Sequence, residues 1–159
     1  MTMLRQSGLE ITVNGQPHPV EADPATPLLY VLRNELKLNA AKFGCGLSQC
    51  GAGAVLVDGQ PVRSCILPVS DVAGAEVVTL EGLGTPDAMH PIQQAFLDEQ
   101  AAQCGYCIPG MMISAAALLA TIPQPSAEQI AESLSGNLCR CGTHLRIVRA
   151  IQRAAGAAQ

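Results

Sequence analysis

Seven cysteines offer most of the chemistry in this chain, and their spacing divides them into two sets. Cys104, Cys107, Cys139 and Cys141 read Cys-x2-Cys-x31-Cys-x-Cys, a complete four-ligand set. Cys45, Cys50 and Cys65 form a second set with one member missing. The plant-type iron–sulfur spacing Cys-x4-Cys-x2-Cys…Cys calls for a cysteine at position 53, where the chain has Gly53. Thiolates are soft ligands that favour zinc, copper(I) or iron–sulfur clusters. A zinc site usually repeats a Cys-x2-Cys knuckle or adds histidine. Here the last pair is Cys-x-Cys, and His18, His90 and His144 stand at no regular ligand spacing. An odd number of cysteines without a secretory signal also fits a disulfide framework poorly. The pattern predicts two iron–sulfur clusters, the first short of a ligand.

Little else in the sequence carries chemistry. There is no His-Glu-x-x-His, no Gly-x-Ser-x-Gly and no phosphate-binding loop. Gly44-x-Gly46 neither follows a strand nor opens a helix, so it is not a dinucleotide fingerprint. Met111 and Met112 are read as core filler, and the three histidines as surface or capping residues. A net charge of −4 over 159 residues argues against nucleic acid as a partner. The longest apolar stretch, Ile108 to Ile122, is interrupted by Pro109 and Gly110 and is too short to span a bilayer. Met1 to Ile11 hold no apolar signal core, twin arginine or cleavage site. The expectation is a cytoplasmic chain, or a periplasmic, inner-membrane-associated one if a partner's signal exports it.

The elements that must position the thiols follow from periodicity. Leu9 to Asn14 alternates as a strand does, and Asn14-Gly15 predicts a hairpin into a second strand over about 17–22. Thr26 is placed as an N-cap, with Pro27 opening a helix that buries Leu28, Val31, Leu32 and Leu36. From Asn39 to Gly53 no period is visible, and Gly44, Gly46, Gly51 and Gly53 suit a loop wrapped around a cluster. Strands are expected at Ala54–Val57, Pro61–Ile66 and Glu76–Leu80. These elements make an α+β unit over residues 1–81, with a linker over 82–90. Residues 91–159 are alanine-rich, with helices expected at about 91–100, 109–121, 127–134 and 144–155. Ser126 and Gln129 have the spacing of a capping box. Both cysteine pairs of the second set then fall between helices.

Four segments together resemble the small 2Fe–2S subunit of the molybdenum hydroxylases, the xanthine dehydrogenase and aldehyde oxidoreductase family. They are Lys42-Phe-Gly-Cys-Gly-Leu-Ser-Gln-Cys-Gly51, Val57-Asp-Gly-Gln-Pro-Val-Arg-Ser-Cys65, Gln103-Cys-Gly-Tyr-Cys-Ile-Pro-Gly-Met111 and Asn137-Leu-Cys-Arg-Cys-Gly-Thr143. The likeness runs from about Leu9 to Ile151 and is nearest to small subunits of nicotinate, isoquinoline and membrane-associated aldehyde dehydrogenases. It implies an N-terminal β-grasp, plant-ferredoxin-like domain with one 2Fe–2S cluster, and a C-terminal four-helix bundle with the other. The second cluster would lie beside a molybdopterin cytosine dinucleotide on a separate large subunit, with Gln103 and Cys141 touching the pterin. Electrons would leave through the first cluster to a cytochrome c or FAD subunit. No residue of this chain would act as catalytic acid, base or nucleophile. The rival readings are a free-standing ferredoxin and a zinc scaffold.

The departure at Gly53 falls on the first cluster. In the family pattern Cys45 and Cys50 hold one iron, while position 53 and Cys65 hold the other. Ser48, Ser64, Asp58, water or a backbone group is then needed to complete the second iron; otherwise no cluster forms. Gly53 has a bland reading too, as a tight turn into the next strand.

Overall fold

Asn14 and Gly15 both adopt positive φ, 52° and 74°, and turn Leu9–Val13 (β1) back onto Gln16–Val20 (β2). The fold is a computed structural model describing residues 8–157. A second hairpin joins Ala54–Val57 (β3) to Gln60–Arg63 (β4) through left-handed Asp58 and Gly59. Glu76–Val78 (β5) bridges the hairpins, parallel to β1 and antiparallel to β3. The result is one mixed sheet of order β2-β1-β5-β3-β4.

A short helix, Leu28–Tyr30 (α1), continues as a wide π turn through Glu35 and crosses one face of the sheet. Leu28, Leu29, Val31 and Leu32 pack there against Ile11, Val13, Val55 and Val77. Thr26 is not the N-cap expected. Pro27 stands at the cap, with no side-chain bond. The Leu28 and Leu29 N–H groups instead donate to the carbonyls of Leu67 and Ser64, at 2.8 and 3.0 Å. The helix start is thus anchored by backbone bonds to the strand end that carries Cys65, which is a contact distant in sequence.

The helices of the second half lie close to their expected places: Pro91–Asp98 (α3), Ile108–Thr121 (α4), Ala127–Ser133 (α5) and His144–Ala157 (α6). His90 caps α3, with Gln93 reciprocating, and Ser126 with Gln129 does the same for α5. These four helices share a core that includes Ile92, Phe96, Met111, Ile130, Ile147 and Ile151. A further short helix, Leu80–Leu83 (α2), occupies residues expected to end a strand and begin a linker. Six α-helices are therefore present among the described residues, two of them of four residues or fewer.

Helix α4 joins the two halves. One side belongs to the helical core; on the other, Ile113 and Ala117 pack on Ala54 and Leu56 of β3. A helix covered on both sides is apolar all round, which accounts for the run from Ile108 to Ile122. Among the described residues no helix is long and apolar enough to cross a membrane.

The first turn of α4 meets the loop of the first cysteine set. A Cβ on Gly110 would overlap the carbonyl oxygen of Gly51 and crowd Ala52. Only a glycine permits this approach. Gly110→Ala is expected to destabilise the protein by about 1–3 kcal/mol through overpacking. The check is a lower urea midpoint, with Gly156→Ala, at a position with open space, as the control.

Candidate functional site

The loop between Asn39 and Gly53 lacks regular structure but is firmly held. Arg33 donates to the carbonyls of Asn39 and Ala41, the Ala40 N–H donates to Glu81, and the Lys42 N–H donates to the Ala52 carbonyl. Left-handed turns at Gly46, Ser48 and Gly51 aim backbone donors inward. The Leu47 and Gln49 N–H groups donate to Cys45 Sγ, and the Cys45 N–H donates to Cys50 Sγ, each at 3.3 Å. These donors favour the thiolate. The Leu47 N–H, then that of Gln49, brings the Cys45 thiol down to about 7, against a smaller opposing push from burial. A nest of N–H groups around sulfur is what an iron–sulfur cluster needs, because those bonds also set its potential.

Cys65 follows β4 and lies beside Gly53. The hairpin ladder extends one rung past β3: the Ser64 N–H and hydroxyl both donate to the Gly53 carbonyl, at 3.0 and 2.6 Å. Gly53 is not among the left-handed residues, so its backbone does not require a glycine. A Cβ built there lies 3.3 Å from Ser64 Oγ, 3.2 Å from the Lys42 carbonyl and 3.9 Å from Cys65 Cβ. A side chain at 53 would thus stand next to Cys65 in a tight but usable space. Gly53 does lie in a tight turn into β3, closed by the Ala54 N–H donating to the Gly51 carbonyl at 3.2 Å, although the turn does not hold it left-handed. The first set fits a cluster in three donors and its N–H cradle, and falls one donor short.

The second set fits in full by donor count. Cys107 stands at the N-cap of α4, Cys104 lies in the loop just before it, and Cys139 and Cys141 lie in the loop that leads into α6. Cys107 and Cys139 are neighbours, and they respond in opposite directions. Burial, then Cys139 as neighbour, pushes the Cys107 thiol up to about 12. Burial also pushes Cys139 up, but the backbone and hydroxyl of Thr143, with Cys107 and the Gly142 backbone, outweigh it and bring that thiol to about 7. Thr143 Oγ1 lies 3.6 Å from Cys139 Sγ. Cys104 is exposed, and Cys141 is part-exposed, as are Cys45, Cys50 and Cys65. Gln103, next to Cys104 in the chain, is exposed. Among the described residues no three His, Cys, Asp or Glu side chains gather about one point as a single-ion site would need. A two-iron cluster asks for only two protein ligands at each iron.

The two sets adjoin. Cys50, Cys104 and Cys107 line one cavity of about 200 Å³, together with Tyr106, Leu138 and Arg140. The Leu138 N–H donates to the Cys50 carbonyl at 2.9 Å, so one hydrogen bond joins a residue of the first set to the neighbour of Cys139. The Tyr106 hydroxyl donates to the Phe43 carbonyl, and Phe43 stacks on Tyr30. Arg63 donates to Gly136 and Asn137, and Ser114 on α4 donates to Asn137. Asn137 is buried, and its Nδ2 is the buried side-chain donor left without a partner among the described residues. Asn137, Tyr106, Thr143 and Arg63 flank the cysteines in sequence, but spacing gives them no role; their function lies in contacts between distant segments.

These thiols give a direct test in the metal-free protein. Alkylation of Cys45 and Cys139 by iodoacetamide is expected to rise through about pH 7 as each becomes thiolate. Cys107 is expected to stay protonated and unreactive until far higher pH. Peptide mapping of labelled protein across pH 6 to 10, on the order of these values, reads the sequence of reactivity.

Comparison with known proteins follows the same division. Residues 11–79 match the 2Fe-2S iron-sulfur cluster binding domain, and residues 79–152 match a 2Fe-2S binding domain. The chain is 59% identical to one subunit of the nicotinate dehydrogenase of Pseudomonas putida, over 94% of this chain and 96% of that one. It is 53% identical to the alpha subunit of isoquinoline 1-oxidoreductase of Brevundimonas diminuta, over 92% and 97%. Among solved structures it is similar to quinoline 2-oxidoreductase from Pseudomonas putida, with TM-score 0.89, 36% identity and 94% of each chain covered. Aldehyde oxidoreductase from Desulfovibrio desulfuricans superimposes with TM-score 0.90 and 42% identity over 94% of this chain, which spans 17% of that longer one.

Proposed function

Because the chain belongs to the family of small iron–sulfur subunits of the molybdenum hydroxylases, we propose that it relays electrons, one at a time, from a large molybdopterin-binding subunit to an acceptor subunit carrying cytochrome c or FAD. The observation that carries this reading is the hydrogen bond from the Leu138 N–H to the Cys50 carbonyl, which couples the two thiol sets through backbone. Each 2Fe–2S cluster, when bound, accepts and releases a single electron. The chain's own residues hold the sulfurs, supply N–H donors to them and pack them into adjoining pockets. The sheet half is read as a β-grasp over residues 1–81 and helices α3–α6 as a four-helix bundle over 91–159, with 82–90 between.

Cys104, Cys107, Cys139 and Cys141 are assigned to the inner cluster, and Cys45, Cys50 and Cys65 to the outer one. Gln103 and Cys141 are read as contacts to a molybdopterin cytosine dinucleotide on the partner; both are at least part-exposed. The large apolar residues around the inner site support a docked subunit over a free-standing carrier. Leu138 is 62% exposed and Leu145 79%. Side chains of this kind at a protein surface mark an interface when they cluster.

The test is the purified complex. About four irons and four sulfides per chain are expected, with two distinct 2Fe–2S signals by EPR on reduction. Cys107→Ser is expected to remove the inner signal and leave the outer one. An iron content near two in the unaltered protein overturns the assignment of the outer cluster, and purification free of any molybdenum subunit overturns the relay.

A further inference from the structure

We propose that the surface beside Cys104, carrying Arg140 and Arg146, is a cationic docking face that the large subunit meets with carboxylates. The inference rests on the reading that such a subunit docks at the inner site. It adds the chemistry by which the two surfaces select each other.

Charge is unevenly distributed along the chain. No Asp or Glu follows Glu132, while Arg140, Arg146, Arg149 and Arg153 all do. The five remaining Lys and Arg stand against all 13 Asp and Glu, which leaves residues 1–132 at −8 and the rest at +4. The fold neutralises two of those four arginines. Arg149 pairs with Glu99 at 3.5 Å, and Arg153 with Asp98 and Glu99 at 3.1 and 3.2 Å. Among the described residues Arg140 and Arg146 make no ion pair. Arg146 donates instead to a neutral group, the Gln100 carbonyl, at 3.2 Å.

Both free cations flank Cys104. Arg140 lines the cavity that Cys104 lines. Gln100 lies on the segment leading to Cys104, so its bond to Arg146 sets that guanidinium beside the same segment. Both arginines are exposed. Arg146 also stands in the first turn of α6, which holds no acidic residue. A helix N-terminus carries partial positive charge, so helix stability alone would select the opposite sign there.

The neighbours decide the kind of partner. Leu138 is 62% exposed and shares the cavity with Arg140; Leu145 is 79% exposed and precedes Arg146. Two free cations are too few to hold a polyanion such as nucleic acid. Arginines beside exposed leucines fit a protein interface, where an apolar centre is rimmed by polar groups and Arg is enriched. Carboxylates on the facing surface would speed encounter and reject partners of the wrong sign. Residues 1–132, with their excess of carboxylates, would repel that same surface, which orients the docking toward the inner site.

The experiment follows binding of the full chain to its purified large subunit by biolayer interferometry, at about 50 and 500 mM salt, where screening is weak and strong. The association rate is expected to fall as salt rises. The double variant Arg140→Glu, Arg146→Glu is expected to associate about tenfold more slowly than the unaltered chain at low salt, and to match it at high salt. The milder Arg140→Gln, Arg146→Gln is expected to fall between the two, which keeps the test open if charge reversal prevents folding. Lys37→Glu, an equal change of charge on the sheet half, is expected to leave the rate unchanged. Salt-independent association, or equal slowing by Lys37→Glu, overturns the inference. So do variants that associate normally while the inner EPR signal shifts in potential, because the arginines then serve the cluster rather than the partner. Failure of the unaltered chain to bind the large subunit at either salt overturns the relay itself.

Discussion

The close approach of two backbones, at Gly51 in the outer loop and Gly110 in the first turn of α4, is the constraint on which the arrangement depends. A side chain at Gly110 would strike the Gly51 carbonyl, and one at Gly51 would strike Asn137 and the Gly136 carbonyl. With side chains absent at both points, the outer loop sits directly on the inner site. Cys50 can then accept a hydrogen bond from Leu138. Moving α4 away by the width of a methyl group would disturb this bond, the Tyr106–Phe43 bond and the Ser114–Asn137 bond together.

Helix α4 turns this local contact into a property of the whole molecule. It belongs at once to the helical core and to the layer against β3. The sheet has α1 on its other face, so its strands near β3 are covered on both sides. This layering explains how a chain with only two phenylalanines, two tyrosines and no tryptophan builds a sufficient core. Many small and branched side chains share three packed layers, and the cysteine loops lie at one end of the joint between the two halves.

The charge environment of the thiols follows from the same architecture. In the outer loop, turns with left-handed residues present N–H groups to Cys45. In the inner site, Cys107 is packed under the start of α4 while Cys139 faces the Thr143 hydroxyl, which separates two chemically identical groups. Such separation arises from burial and hydrogen bonding, not from residue type.

Much of this was legible in the residues themselves. Asn14-Gly15 and Asp58-Gly59 fixed two hairpins, because few other pairs tolerate left-handed backbone at both positions of a tight turn. Ser126 with Gln129 marked the start of α5, because a capping box closes within four residues. The start of α1 was not legible. Thr26 looked like a cap, but the helix is anchored by Ser64 and Leu67 from a distant strand end. Nor did spacing show that Cys50 meets Leu138, or that Arg63 and Ser114 converge on Asn137. The sequence alone determined where the seven thiols stand and that none is present at 53. Only the tertiary structure decided that Gly53 is unforced by its backbone and that the two thiol sets adjoin, because those facts depend on side chains and carbonyls brought together from segments far apart in the chain.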